Sequence, residues 1–219
     1  MKILAADTAL GACSVAVLDG DKILAHIFEP MARGHAEALA PMVESAMGQA
    51  KIAFSALDRL AVTTGPGTFT GQRVGLAFMR GLRLALKKPL IGITTLEAMA
   101  AAALNESKAD YAAALHDAKR GEFYFQIASR DGALFAPRIA MLDEAIEAIA
   151  GLSGKIALAG TGANAALSGL RERGTAAMMT GIAEPDALWV ARLALKAPQS
   201  DAPVRPLYLR APDARLPSP

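Results

Sequence analysis

The stretch VTTGPGTFTGQRVG, Val62 to Gly75, sets four glycines, one proline and four threonines between an apolar run and a helical pattern. Residues of these types suit three tasks. They wrap an anion in backbone N–H groups, shape a tight turn, or admit a close neighbour. The phosphate motifs of fixed spacing are not met. A P-loop carries Lys after its second glycine, where Gln72 follows Gly71, and a dinucleotide fingerprint needs a third glycine where Thr70 stands. The physics of a helix N-terminus still favours an anion, because unpaired amides and the macrodipole attract negative charge, and Arg73 adds to that field. Thr70 has the chemistry of an N-cap. In the structural alternative, Gly65 and Gly67 take backbone angles closed to other residues and Pro66 stiffens the turn. Thirdly, Gly71 and Gly75 form one i, i+4 row and Ala77, Gly81 and Ala85 a second, either of which lets another helix approach closely.

Little else advertises chemistry. Asp7 ends the first apolar run and suits a turn-capping carboxylate. His26, His35 and His116 stand far apart, without the short spacings of a metal motif. His35 opens a helix after Gly34, where the dipole disfavours a charged ring, so a hydrogen-bonding role outweighs that of a catalytic base. The single cysteine, Cys13, excludes an internal disulfide and suits a small buried side chain. No GxSxG elbow is present.

The elements that must position these residues alternate in type. KILAAD, CSVAVLD and KILAHIFE are short strands, the last two joined by the Asp19-Gly20 turn. Leu39, Met42, Val43, Ala46 and Met47 recur at helical spacing over Gly34–Ala50, with Pro41 predicting a kink or a late start. Asp58–Thr64 is a strand, Gln72–Lys88 a helix, LIGI a strand and Thr95–Leu104 a helix. The polar run Asn105–Asp110 divides the chain into lobes 1–105 and 106–219. After it the pattern partly restarts with YAAALHD, GEFYFQIAS, two helices around the strand KIALAG, and a last helix over about 185–197. Two βαβ-type lobes from one duplication are expected, with mixed sheets flanked by helices, the second lobe reduced. The last helix is free to pack back on the first lobe, and the proline-rich tail 199–219 is expected to be extended. The 219 residues are 53% hydrophobic and 20% charged with net charge +2, a balance that fits a globular protein and excludes wholesale disorder or a strongly basic nucleic-acid binder. No apolar run reaches the length of a membrane span, and MKILAAD lacks a signal peptide's apolar region, so a cytoplasmic protein is expected.

RLAVTTGPGTFTGQRVGLAFMRGLRLALKKPLIGITTLEAMA resembles the signature of the TsaB (YeaZ) family, as do ILAADTALGACSVAVL, RGHAEALAPMVE, DAKRGEFYF and PLYLR. The resemblance covers most of the chain and is weakest between Ala133 and Gly174. It implies the actin-like, Hsp70-type ATPase fold with two RNase-H-like lobes, and kinship to TsaD, the catalytic subunit that makes threonylcarbamoyladenosine in tRNA. TsaD follows a similar glycine loop with a His-x-x-x-His metal pair. Here those places are taken by Thr95 and Met99, a weak neutral ligand and a soft thioether, so no catalytic metal is expected.

The resemblance therefore implies a non-catalytic subunit, with ATP, magnesium and metal on its partners. If the chain retains any nucleotide affinity of its own, Asp7, Gly65, Gly67 and Thr68 carry it. Partners are a TsaD-like catalytic subunit and a TsaE-like ATPase, with tRNA met only within the complex and no membrane. The expected interface joins the first two long helices through His35, Leu39, Met42, Val43, Met47, Arg73, Gly75, Phe78, Arg80 and Leu82, with Gly75 tolerating a bulky change without loss of fold. A homodimer through the same surface is the pairing expected in the partner's absence. The rival readings are an independent enzyme of glycoprotease-like or actin-like kinase type, and direct tRNA contact through Arg80, Arg83, Lys87 and Lys88.

Overall fold

Alternating apolar residues on the first strands fill two layers at once. β1 (Lys2–Asp7) points Leu4 and Ala6 to one side and Ile3 and Ala5 to the other, and all four are fully buried. A strand buried on both faces belongs at the centre of a sheet. In the computed structural model, which describes residues 1–199 and 202–210, β1 lies between β2 (Ala12–Asp19) and β4 (Arg59–Thr63). With β3 (Lys22–Pro30) and β5 (Leu90–Ile93) the order is β3-β2-β1-β4-β5, the hairpin partners antiparallel and β4 and β5 parallel to β1.

α1 (His35–Ala50) and α2 (Phe69–Leu86) cover the Leu4 face of this sheet. α1 begins ahead of Pro41, which sits inside it, so the late start allowed by the sequence does not occur. α2 begins three residues before Gln72, and its N-cap is Thr68, not Thr70: the Thr68 hydroxyl accepts the Gly71 amide at 3.1 Å. α3 (Thr95–Ser107) opens with a capping box in which Thr94 and Glu97 satisfy each other's amides. It runs into the polar stretch and leads to the second sheet.

That sheet repeats the first. β6 (Tyr111–Asp117) is central between β7 (Glu122–Ser129) and β10 (Ile156–Ala159), in the order β11-β10-β6-β7-β8 with β9 (Arg138–Met141) also on β7. The edge strands β8 (Gly132–Ala133) and β11 (Met178–Met179) are two residues each. α4 (Leu142–Ala150) and α5 (Ala163–Glu172) pack on its outer face. α6 (Ala187–Lys196) returns to the first sheet and buries Ala187, Val190, Ala191 and Ala194 against Ile3, Ala5, Ala16 and Leu18. Arg59 reaches under its C-terminal end and donates to the carbonyls of Ala194 and Ala197. The first part of the tail, 202–210, has neither helix nor strand, and 211–219 lie outside the described residues.

Candidate functional site

The glycine loop between β4 and α2 faces the turn between β1 and β2. Hydrogen bonds from the loop and from α2 tie it to that turn. The Thr68 amide donates to the Ala9 carbonyl at 2.8 Å. The Thr8 hydroxyl donates to the Gly71 carbonyl at 2.6 Å and accepts from the Gly75 amide at 3.0 Å. A Cβ on Gly67 would collide with the Ala9 carbonyl, one on Gly71 with the Thr8 carbonyl, and one on Gly75 would lie 2.7 Å from the Thr8 hydroxyl. Three of the four glycines thus exist to let two backbone turns touch. Only Gly65, at φ +104°, needs a backbone angle closed to side chains; Gly67 does not, contrary to the expectation from sequence.

The same contacts correct the helix rows. Gly71 and Gly75 face inward, and a large residue at Gly75 has no space within the fold. Gly81, by contrast, has no atom within 4 Å of a built Cβ, and Ala77, Gly81 and Ala85 are exposed beside Leu84 at 78% exposure. A second correction concerns α1. Leu39, Met42, Val43 and Met47 are buried in the first lobe's own core with Cys13, Val15 and Val17, because a sheet with an apolar face must be covered and α1 is the cover. Phe78 and Leu82 are half-buried against that core. Arg73 and Arg80 stay at the surface, held by the C-terminal segment, and Arg80 of the proposed basic patch is committed to the Val204 carbonyl. His35 donates from Nε2 to the Leu10 carbonyl at 3.1 Å, tying the start of α1 to the same turn.

Asp7 ends β1 with no exposure. Its Oδ1 accepts from the Thr63 hydroxyl at 2.5 Å and from the Ala9 amide at 3.2 Å, while Oδ2 is buried without a partner. Burial pushes its carboxyl up to about 7 against those two hydrogen bonds, with Asp186 and Glu184 adding to the rise. Glu184 accepts the Gly11 amide at 2.9 Å and is itself raised by burial. Asp186 accepts the Leu188 amide as cap of α6 and meets His26 Nε2 at 2.8 Å. These acidic groups gather at one end of β1, yet no group of three or more His, Cys, Asp or Glu among the described residues is placed to hold a metal ion.

Thr95 and Met99 on α3 are both at 0% exposure. The Thr95 amide donates to the Gly65 carbonyl at 2.8 Å, and its hydroxyl is buried without a partner. Met99 packs with Ala9, Leu10, Leu96 and Ala159 in an apolar cluster between the two sheets. His116 is buried in the second sheet, where burial holds its ring down to about 4. Burial pushes the Cys13 thiol up to about 12.

The sequence singled out Asp7 and the glycine loop but not their working partners Thr8, Thr63 and Glu184. Thr8 and Thr63 are polar residues at strand ends, a visible signal. Glu184 lies 173 residues from Gly11, and no local pattern links them.

Comparison with known proteins agrees with this architecture. The family described as TsaD, tRNA N6-adenosine threonylcarbamoyltransferase, matches residues 22–180. The tRNA threonylcarbamoyladenosine biosynthesis protein TsaB of Escherichia coli is 39% identical over 131 residues, which is 60% of this chain and 56% of that one. The chain thus matches little more than half the length of that relative. A crystal structure from Pseudomonas aeruginosa, described as an uncharacterized protein with similarity to peptidase YeaZ, superposes with TM-score 0.81 and 30% identity over 95% of this chain and 99% of that one. The (R)-2-hydroxyglutaryl-CoA dehydratase component A of Acidaminococcus fermentans shares the fold alone, at TM-score 0.54 and 12% identity over 88% of this chain and 97% of the other. The fold is the actin-like ATPase fold, and the chain belongs to the TsaB (YeaZ) family within the wider threonylcarbamoyltransferase family.

Proposed function

We propose that this protein is a non-catalytic subunit required for formation of N6-threonylcarbamoyladenosine in tRNA, pairing with a TsaD-like transferase and helping to recruit a TsaE-like ATPase. The observation that carries the reading is the full burial of Thr95 and the apolar packing of Met99, at the places where the catalytic relative has its paired histidines. A threonine hydroxyl and a thioether do not replace two imidazoles at a metal that activates oxygen ligands. The closed glycine loop supports it too, since the Ala9 carbonyl occupies the Thr68 amide that a phosphate would need. ATP, magnesium and the metal ion then belong to the partner subunits.

The docking face differs from the one expected from sequence. With the apolar stripe of α1 buried, the surface left for a partner helix pair is the outer side of α2. Ala77, Gly81 and Ala85 form a shallow strip there, with Leu84 standing out as an apolar anchor. The same strip offers a second copy of the chain a place in the partner's absence. The test is to mix the purified chain with a TsaD-like subunit, follow association by gel filtration, and assay tRNA modification with and without the chain. Association and a requirement for the chain are expected. Modification at full rate without it, or turnover by the chain alone, refutes the reading.

A further inference from the structure

Residues 203–210 bridge the two lobes. On the first lobe, Val204 lies over Gly92, where a built Cβ would sit 2.7 Å from its Cγ1, and the Val204 carbonyl accepts from the Arg80 guanidinium. The Leu207 amide donates to the Thr64 carbonyl at 2.7 Å, which draws the segment across the glycine loop beside Gly65. Tyr208 then stacks on Phe69, ring centroids 6.1 Å apart and planes at 27°. Its hydroxyl accepts from Arg73 Nε at 2.8 Å, and the Arg73 guanidinium lies 3.4 Å from the centre of the Phe69 ring. Two residues later Arg210 reaches the second lobe, donating at 2.9 Å to the Ala118 carbonyl in the turn after β6 and pairing with Glu122 at the start of β7.

The two attachments are unequal. The first-lobe side combines backbone pairing, a stacked ring and two arginines. Among the described residues the second-lobe side rests on Arg210, whose carboxylate partner is about a third exposed, so it is open to water and screened by salt. Gly92 supports a built path for the segment, because any side chain there would displace Val204.

We propose that residues 203–210 are a clasp between the lobes, anchored on α2 and the glycine loop and latched on the second lobe by Arg210. Phe69, Arg73 and Arg80 of α2 hold the anchor, so a ligand or partner that recruits those side chains loosens the latch, and opening of the lobes exposes those side chains in turn. The coupling is reciprocal by linkage. It does not depend on which partner binds, and it stands or falls separately from the role in tRNA modification.

The full-length chain tests it. Cys13 is buried, so Glu44→Cys on α1 and Glu172→Cys on α5 take spin labels that report the distance between lobes. Hydrogen exchange at the Leu207 amide reports the anchor. Arg210→Ala should broaden or lengthen the distance distribution, with an unchanged circular dichroism spectrum showing that the fold persists. Arg73→Ala should do the same although Arg73 meets the clasp at Tyr208 and not at the latch, and should raise Leu207 exchange by roughly two- to fivefold, the factor a cation–π contact at an exposed site represents. The pair Arg210→Glu with Glu122→Arg should restore the parent distribution. A distance distribution unchanged in Arg210→Ala overturns the clasp. A change in Arg210→Ala without one in Arg73→Ala overturns the coupling to α2.

Discussion

Replacing Asp7 by Asn should flatten a pH dependence of stability that the parent protein carries. The Asp7 carboxyl is fully buried and pushed from its ordinary 3.8 up to about 7. Between those values the folded chain keeps a proton that the unfolded chain releases. A raised acid contributes stability that is complete below about pH 4 and is lost as the pH climbs through 7. At about 1.4 kcal/mol per pH unit, the loss between pH 5 and pH 8.5 comes to roughly 2–3 kcal/mol. Asn keeps an oxygen for the Thr63 hydroxyl and the Ala9 amide, and its amino group takes the place of an atom that has no partner. It cannot ionise. The margin of Asp7→Asn over the parent should therefore widen by roughly 2–3 kcal/mol from pH 5 to pH 8.5, which is about 5–10 °C in melting temperature for a chain of this size. His116, whose ring is held down to about 4, also makes stability pH-dependent on the acid side, but equally in both proteins, so it cancels from the comparison. Urea unfolding and calorimetry at the two pH values measure the margin. Parallel profiles, with the margin constant to about 0.5 kcal/mol, would refute the argument. They would mean that Asp7 is ionised in the folded protein, and hence that water or a cation reaches Oδ2.

Four further outcomes follow from the packing. Gly75→Arg should cost at least about 3 kcal/mol in urea unfolding, since it drives a charged side chain into the Thr8 turn; a stable, folded variant would overturn the inward assignment of that row. Gly81→Arg should leave stability within about 0.5 kcal/mol yet weaken binding to a TsaD-like subunit more than tenfold by titration, and normal binding would remove α2 from the docking face. Arg59→Ala should cost about 1.5–3 kcal/mol through loss of charged hydrogen bonds to the end of α6, and hydrogen exchange at 194–197 should rise with it. Cys13 should react with an aromatic disulfide only at the rate of global unfolding, because the thiol is buried and held at about 12; rapid labelling of the native protein would contradict the packing of β2.

Much of the fold was legible in the sequence because its signals are local. The Asp19-Gly20 turn fixes the β2–β3 hairpin, and the continuous apolar run in KILAAD fits a strand buried on both faces. The helix expected over Thr95–Leu104 does begin at Thr95. The site was harder. An apolar stripe on α1 says that something covers it, and sequence cannot say whether the cover is a partner or the chain's own sheet. Two small-residue rows on α2 look alike in one dimension. Only the position of Leu76 and Met79 in the core decides that Gly75 faces in and Gly81 faces out. Glu184 reaches the β1–β2 turn and Tyr208 the start of α2 from the far end of the chain, so their roles follow from topology alone.

The packing of the glycine loop against the β1–β2 turn has a physical account. In a strand-turn-helix unit the first helical amides must find acceptors, whatever the protein does. A phosphate meets that need in a nucleotide enzyme. Here the Ala9 carbonyl takes the Thr68 amide and the Thr68 hydroxyl takes the Gly71 amide, while the Thr8 hydroxyl takes the Gly75 amide deeper in α2. That substitution works only if the β1–β2 turn comes within bonding distance of α2, and Gly67, Gly71 and Gly75 are the residues that allow it. The glycines suited to a ligand are thus equally needed once a turn stands in its place. The same closure buries Asp7 and leaves Oδ2 unpartnered, which raises its carboxyl. A raised Asp7 and a filled loop are two consequences of one contact, so a perturbation that lowers the first should reopen the second.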